Sequence, residues 1–255
     1  MGKKVIVTRE DFFTYVEINQ PEKRNAVDYE VMEQLENVLD DVKLKKTDRC
    51  LIITGAGNDA FCSGGDLSVF HSLYTKEDAW PMLDRMSKIL LQLFSLEIPT
   101  IAFINGSAVG GGAEIAAACD YRVAVPEAKI GFVQGKLAIT TGWGGTSILL
   151  ERVSAETAFD MAASCRLYPA DKAKEIGFLQ HVLNPGQGRA ELEQYFAAWQ
   201  DIPVQVLAAY KRRKLDHTDL NMLRQRMKRE VEECAVLWGS DAHHQAVEAF
   251  RNKKR

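Results

Sequence analysis

Several things are missing from this 255-residue chain, and each absence excludes a class of protein. Its five cysteines (Cys50, Cys62, Cys119, Cys165 and Cys234) are odd in number and show no C-x-x-C spacing, which argues against a disulfide framework or a zinc site. They read as reduced, mostly buried thiols of a cytoplasmic protein. Cys62 stands beside a glycine loop, but no histidine is near it in sequence, so it reads as a packing residue rather than a nucleophile. Neither sign of charge is in large excess: 32 Lys and Arg against 35 Asp and Glu give −3, so no bulk field favours nucleic acid or an anionic membrane. No apolar run approaches the roughly 20 residues of a bilayer-crossing helix. The first residues lack a signal-peptide apolar region, and Ile6 stands where a myristoylation motif needs Ser or Thr. Gly106 and Gly110 are not followed by Gly-Lys-Ser/Thr, and no Gly-x-Gly-x-x-Gly follows the first strand, so neither nucleotide loop is present. His71, His181, His217, His243 and His244 share no metal-ligand spacing and read as surface or structural residues. No metal or redox cofactor is implied.

What the chain does have is alternation of strand and helix in its first part. Residues 4–8 and 12–18 read as a hairpin, and residues 28–42 as an amphipathic helix capped by Asp28, with Val31, Leu35, Val38 and Val42 at helical spacing. Residues 50–54, 101–104 and 121–125 read as strands, and 82–96 as a helix ending before Pro99. This pattern predicts an α/β core. From Ser154 onward the spacing predicts helices over 154–164, 170–176, 188–200, 204–214, 218–237 and 241–252, interrupted by one strand over 178–182. Pro185-Gly186-Gln187-Gly188 reads as the hinge, dividing a core over 1–187 from a helical region over 188–255.

Two glycine turns carry the chemistry. Gly110-Gly111-Gly112-Ala113-Glu114 lies between a strand and the helix-forming run Ile115-Ala116-Ala117-Ala118. Glycines leave backbone N–H groups open to close approach. The first N–H groups of the helix are unpaired and carry partial positive charge. The second turn, Ala60-Phe61-Cys62-Ser63-Gly64-Gly65-Asp66-Leu67, also follows a strand and ends on a helix-capping aspartate. If the turns face each other, one N–H from each can converge on a single oxygen as an oxyanion hole. Glu114 stands beside them. Its protonation is open at this stage, because the helix terminus favours the charged form and burial the neutral one.

These segments, with Pro21-Glu22-Lys23-Arg24-Asn25-Ala26-Val27, Asn105-Gly106, Cys119-Asp120, Pro126-Glu127-Ala128-Lys129-Ile130-Gly131 and Trp143-Gly144-Gly145-Thr146, resemble the crotonase (enoyl-CoA hydratase/isomerase) superfamily over nearly the whole chain. The resemblance implies a spiral of ββα units with a C-terminal helical region that drives trimers or dimers of trimers. It implies an acyl-CoA partner whose thioester carbonyl is polarised by the N–H groups of Gly65 and Gly111. It also implies CoA contacts at Lys23, Arg24, Ala26, Ser63, Asp66 and Leu67. Trp143 is a candidate lining of the acyl pocket or plain packing. Thr140 and Thr141 either reach a substrate carboxylate or form the turn. The basic end Phe250-Arg251-Asn252-Lys253-Lys254-Arg255 either approaches CoA, as such ends do in relatives, or frays.

One position departs from the family's hydratases. They use a second glutamate twenty residues after the first, and here that position is Gln134. An amide cannot take up a proton at neutral pH. Hydration and double-bond shifts are therefore disfavoured. Decarboxylation of a malonyl-type thioester needs only an enolate and one proton, and the chain is closest in motif to the ethylmalonyl-CoA/methylmalonyl-CoA decarboxylase branch. Glu114 is then the orienting or proton-delivering group and Gln134 a neutral hydrogen-bonding wall. Enoyl-CoA hydration/isomerisation is the alternative. A non-catalytic acyl-CoA-binding relative is disfavoured by the intact turns and Glu114. An RNA-binding module rests on Lys211-Arg212-Arg213-Lys214 and on Arg224, Arg226, Lys228 and Arg229. Interspersed acids such as Glu230, Glu232 and Glu233 make a solvated helix face the simpler reading.

Overall fold

Alternating apolar residues build a sheet with two covered faces. In a computed structural model that describes residues 2–45 and 47–252, β1 (Val5–Arg9) and β2 (Phe13–Ile18) form the expected antiparallel pair. The chain continues through α1 (Tyr29–Lys45), β3 (Cys50–Gly55), β4 (Ala60–Cys62), α2 (Leu67–Phe70), α3 (Lys76–Phe94), β5 (Thr100–Ile104), β6 (Ser107–Val109), α4 (Gly111–Ala118), β7 (Tyr121–Ala124) and β8 (Lys129–Gly131). It then runs through α5 (Gly145–Leu149), α6 (Ala155–Ala163), β9 (Tyr168–Pro169), α7 (Ala170–Glu175), β10 (His181–Val182), α8 (Gly188–Tyr195), α9 (Ala197–Gln200), α10 (Val204–Asp216), α11 (Leu220–Trp238) and α12 (Asp241–Asn252).

The main sheet runs β1-β2-β3-β5-β7-β10, parallel from β2 onward. Residues of opposite parity serve opposite faces. Leu51, Ile53, Ala102 and Ile104 join one core with α1, α3, α4 and α11. Cys50, Ile52, Ile101 and Phe103 join a second core with Phe196 and Leu207. Residues beyond 188 therefore pack on both sides of the sheet. Phe196, seated in that second core with φ −100 and ψ 11, divides the single helix expected over 188–200 into α8 and α9.

After each of β3, β5 and β7 the chain makes a short strand in a second sheet, ordered β4-β6-β8-β9. A helix follows β4 and β6 directly, giving the repeated ββα units. β4, β6 and β8 run parallel, with Cys62 opposite Ala108 and Ala108 opposite Ile130. The turns that leave β4 and β6 consequently emerge side by side, at the carboxyl ends of parallel strands where open sheets bind ligands.

Local signals place the helices. Asp28 Oδ1 accepts from Glu30 N and Val31 N at 3.1 and 3.0 Å, capping α1 as expected. α3 begins at Lys76 rather than 82, because Thr75 and Asp78 form a capping box that outweighs the interior Pro81. The strand expected over 178–182 is reduced to His181–Val182, while Phe178 and Leu179 donate to Ala173 O in the turn after α7.

The basic segments are largely occupied internally. Lys211 is buried, with its Nζ 2.5 Å from Asp120 Oδ2; Lys214 reaches Asp120 Oδ1 at 3.0 Å, and Arg226 pairs with Glu151. Of the three acids expected on a solvated face, Glu232 and Glu233 are exposed but Glu230 is buried. No helix among the described residues is long and apolar enough to cross a membrane.

Candidate active site

Steric demand explains the glycine run. Gly110 turns the chain at φ 59 and ψ −123, a conformation that side chains oppose. A Cβ at Gly111 would lie 2.1 Å from Trp143 Cζ3, so the indole lies directly against this residue. One at Gly65 would stand 3.7 Å from Trp143 Cζ2, so the same ring lies near both turns. A Cβ at Gly64 would come within 2.9 Å of Gly111 N. The two turns are thus in contact.

Their N–H groups are unspent. Val27 N donates to Gly64 O at 2.8 Å and Asp66 N to Val27 O at 2.9 Å. In such a parallel bridge the intervening Gly65 N–H turns away from Val27. It finds no acceptor among the described residues, and neither does Gly111 N–H, the first of α4. Both residues line one cavity of about 1250 Å³, which also receives Glu114, Gln134 and Trp143.

Glu114, on the first turn of α4, is 2 % exposed. Its Oε1 accepts from Gln134 Nε2 at 2.7 Å; its Oε2 accepts from Trp143 N at 3.0 Å and Gly145 N at 2.8 Å. Burial raises its pKa, the nearby Glu230 carboxylate raises it further, and these three hydrogen bonds only partly offset the rise, leaving it at about 8. Burial thus prevails over the helix terminus and shifts Glu114 toward its neutral form. Gln134 Oε1 is buried without a hydrogen-bond partner among the described residues.

Glu230, on α11, is a residue that reading the sequence missed. It accepts from Thr146 N at 3.0 Å, Ser147 N at 2.8 Å, Ser147 Oγ at 2.6 Å and from Thr141 Oγ1. A signal was available: Glu230 stands three residues after Met227 and four before Cys234, on the buried stripe of α11. Of its two readings, Thr141 takes the one in the turn. Its hydroxyl is bound to Glu230 and Thr146, behind the wall, and Thr140 lines the cavity instead.

The remaining expected contacts line the same cavity. Lys23, Arg24, Ala26, Ser63, Asp66 and Leu67 all line it. Asp66 Oδ1 caps α2 through Ser68 N at 2.8 Å, while Oδ2 holds Lys23 Nζ at 2.7 Å. Cys62 is buried, its thiol pushed up to about 12 by desolvation, consistent with packing. Of the five histidines, His71 and His243 line the cavity, which their sequence spacing did not indicate. His243 is buried, its Nδ1 is 2.7 Å from Leu137 O, and burial lowers its pKa. Arg251 also lines the cavity, while residues 253–255 of the basic end lie outside the described residues.

This geometry offers two neighbouring turns with unpaired backbone N–H groups, a buried carboxyl group shifted toward its neutral form and a cavity lined in part by Lys23 and Arg24. Such a set can polarise a carbonyl and exchange one proton beside it. The enoyl-CoA hydratase/isomerase family model matches residues 9–255, and the chain belongs to that family, the crotonase superfamily. Bacillus subtilis YngF, named as an enoyl-CoA hydratase/isomerase, is 35 % identical over 202 residues, covering 78 % of this chain and 76 % of its own. Human ethylmalonyl-CoA decarboxylase is 30 % identical over 233 residues, covering 90 % and 75 %. The crystal structure of an enoyl-CoA hydratase from Bacillus halodurans superposes with a TM-score of 0.88 at 24 % identity, covering 96 % of this chain and 99 % of that one. The fold is thus crotonase-like, and the family's chemistry is acyl-CoA processing.

Proposed function

We propose that this protein decarboxylates a short-chain malonyl-type CoA thioester. The observation that carries this reading is that Glu114 is met by the amide of Gln134 at 2.7 Å and not by a second carboxyl group. One protonated acid suffices for decarboxylation. The bond from Cα to the free carboxylate breaks, CO2 leaves, and its electron pair forms an enolate. The thioester oxygen takes the negative charge between the N–H groups of Gly65 and Gly111. Glu114 then delivers its proton to Cα and recovers one from water. Each backbone donor of this kind contributes about 10²–10³ in rate.

Gln134 supports the proton's place. Glu114 Oε2 already accepts two N–H bonds, so the proton belongs on Oε1. Turning the Gln134 amide by half a revolution presents its unpaired oxygen to that proton. The same side chain therefore serves both charge states of Glu114.

The second reading, enoyl-CoA hydration or isomerisation, is favoured by the name of YngF. It requires Glu114 alone to activate water and to protonate carbon. A panel of acyl-CoA thioesters followed by mass spectrometry separates the two. Loss of CO2 from ethylmalonyl-CoA or methylmalonyl-CoA supports the first; addition of water to crotonyl-CoA with malonyl-type thioesters untouched supports the second. The same reading carries a homotrimer or dimer of trimers. Exposed Phe159, Tyr210 and Val236 supply apolar helix surface for it, and light scattering on the eluting protein reads the mass.

A further inference from the structure

Two buried carboxyl groups divide the amides of one short segment. Glu114 takes Trp143 N and Gly145 N; Glu230 takes Thr146 N and Ser147 N, together with the hydroxyls of Ser147 and Thr141. The segment has few alternative ways to sit. A Cβ at Gly144 would lie 2.6 Å from Met227 Cε, and one at Gly145 2.3 Å from Glu114 Cγ, so α11 and α4 close on it from two directions. Four hydrogen bonds are more than a helix cap needs, and they come from a residue on the far side of the segment from the cavity. Glu230 is absent from the cavity lining, so it has no direct access to a substrate there.

We propose that Glu230 is a positioning residue for Glu114: it anchors residues 141–147 so that Trp143 N and Gly145 N stay aimed at Glu114 and the Trp143 indole stays against Gly111. This rests on the reading of Glu114 as the acid. Two consequences oppose at Glu114. Losing the Glu230 charge lowers its pKa, and losing the Trp143 and Gly145 N–H bonds raises it. Glu230→Gln keeps an acceptor oxygen for the segment, so it reads the charge. After burial itself, the Glu230 charge raises Glu114 most; burial raises Glu230 too, against the hydrogen bonds it accepts from Ser147, Thr141 and Thr146. The other ionisable groups nearby are spent or neutral. Cys234, one turn further along α11, has its thiol pushed up to about 12 by burial and by both carboxylates. Arg226, one turn earlier, is paired with Glu151. On α3, Arg85 is paired with Glu36 and Lys88 with Asp84. On α12, His243 is bound to Leu137 O.

The test reads Glu114 itself, without substrate. The protein is labelled with ¹³C at glutamate side-chain carboxyls, the Glu114 signal is assigned by its loss in Glu114→Gln, and its titration is followed in wild type and Glu230→Gln. The wild-type midpoint is expected near 8. In Glu230→Gln it is expected to fall by about one pH unit or more toward ordinary carboxylate values. The alkaline limb of the kcat profile should move with it, whichever acyl-CoA proves to be the substrate. A folded Glu230→Gln protein whose Glu114 midpoint and pH profile match wild type overturns the proposal. If Glu230→Gln does not fold, Ser147→Ala removes one of the four donors and lets Glu230 take up a proton more readily. A smaller downward shift at Glu114 then supports the proposal, and an unmoved midpoint overturns it. Failure of the decarboxylase reading would show separately, as intact malonyl-type thioester while the Glu114 midpoint still lies near 8 in wild type and still falls in Glu230→Gln.

Discussion

Glu114 fits its site because residue 145 is glycine: a Cβ at Gly145 would lie 2.3 Å from Glu114 Cγ, while Gly145 N donates to Glu114 Oε2 at 2.8 Å. The residue that binds the carboxyl group also makes room for it. Gly145→Ala keeps the backbone and forces Glu114 aside. A displacement of about 1 Å costs on the order of 10² in rate, and overpacking costs about 1–3 kcal/mol of stability. Steady-state kinetics beside thermal melts check both.

Glu114→Gln removes the proton but keeps the hydrogen bonds, because the new amide can donate to the unpaired Gln134 Oε1 and still accept from Trp143 N and Gly145 N. Loss of a positioned acid lowers kcat by about 10²–10⁴. Affinity for a CoA thioester, read by calorimetry, should change little. The stability effect depends on pH. Glu114 has a folded pKa of about 8 against an ordinary 4.5, so the folded protein holds its proton longer than the unfolded chain. That contribution is complete below 4.5 and is lost as pH rises through about 8. Above that pH the Gln variant should melt at a higher temperature than wild type, and below pH 5 the difference should vanish.

Gln134→Glu restores a second carboxyl group 20 residues after Glu114, in hydrogen-bond reach of it. Two like charges in one site raise one pKa further. The variant should gain crotonyl-CoA hydration and lose decarboxylation. A variant that keeps the wild-type ratio of the two activities would show that position 134 does not set the reaction.

At the other end of α4, burial raises Asp120, but the ion pairs with Lys211 and Lys214 prevail and leave it at about 2. The sign is opposite to that of Glu114. Its stabilisation is present above its ordinary value of 3.8 and is lost as pH falls through about 2. Asp120→Asn strands a buried lysine and should cost about 3–5 kcal/mol, measured by denaturant unfolding at neutral pH. The gap from wild type should narrow in acid.

What could be read from the sequence was what local chemistry writes down. Asp28 and Asp66 cap the helices that follow them, and the glycine turns with Glu114 announced themselves by composition. The short strands β4, β6 and β8 did not, because three residues are too few for an alternating pattern, yet their parallel register is what sets the two glycine turns side by side. Glu230 and Lys211 were hidden by their type. Each lies on the buried stripe of its helix, Lys211 four residues after Leu207, but a charge on a basic helix reads as solvated until its partner across the fold is known. Sequence left Thr141 between a substrate contact and a turn residue, and the structure places its hydroxyl in the turn, on Thr146 and a carboxyl group 89 residues away.

The most direct test of the account is the fate of ethylmalonyl-CoA in D2O. If CO2 departs and Glu114 supplies a solvent-derived proton to Cα, mass spectrometry will show butyryl-CoA carrying deuterium at that carbon, at a rate that collapses in Glu114→Gln. Intact ethylmalonyl-CoA, alongside crotonyl-CoA converted to its hydrated product by the same preparation, would contradict it.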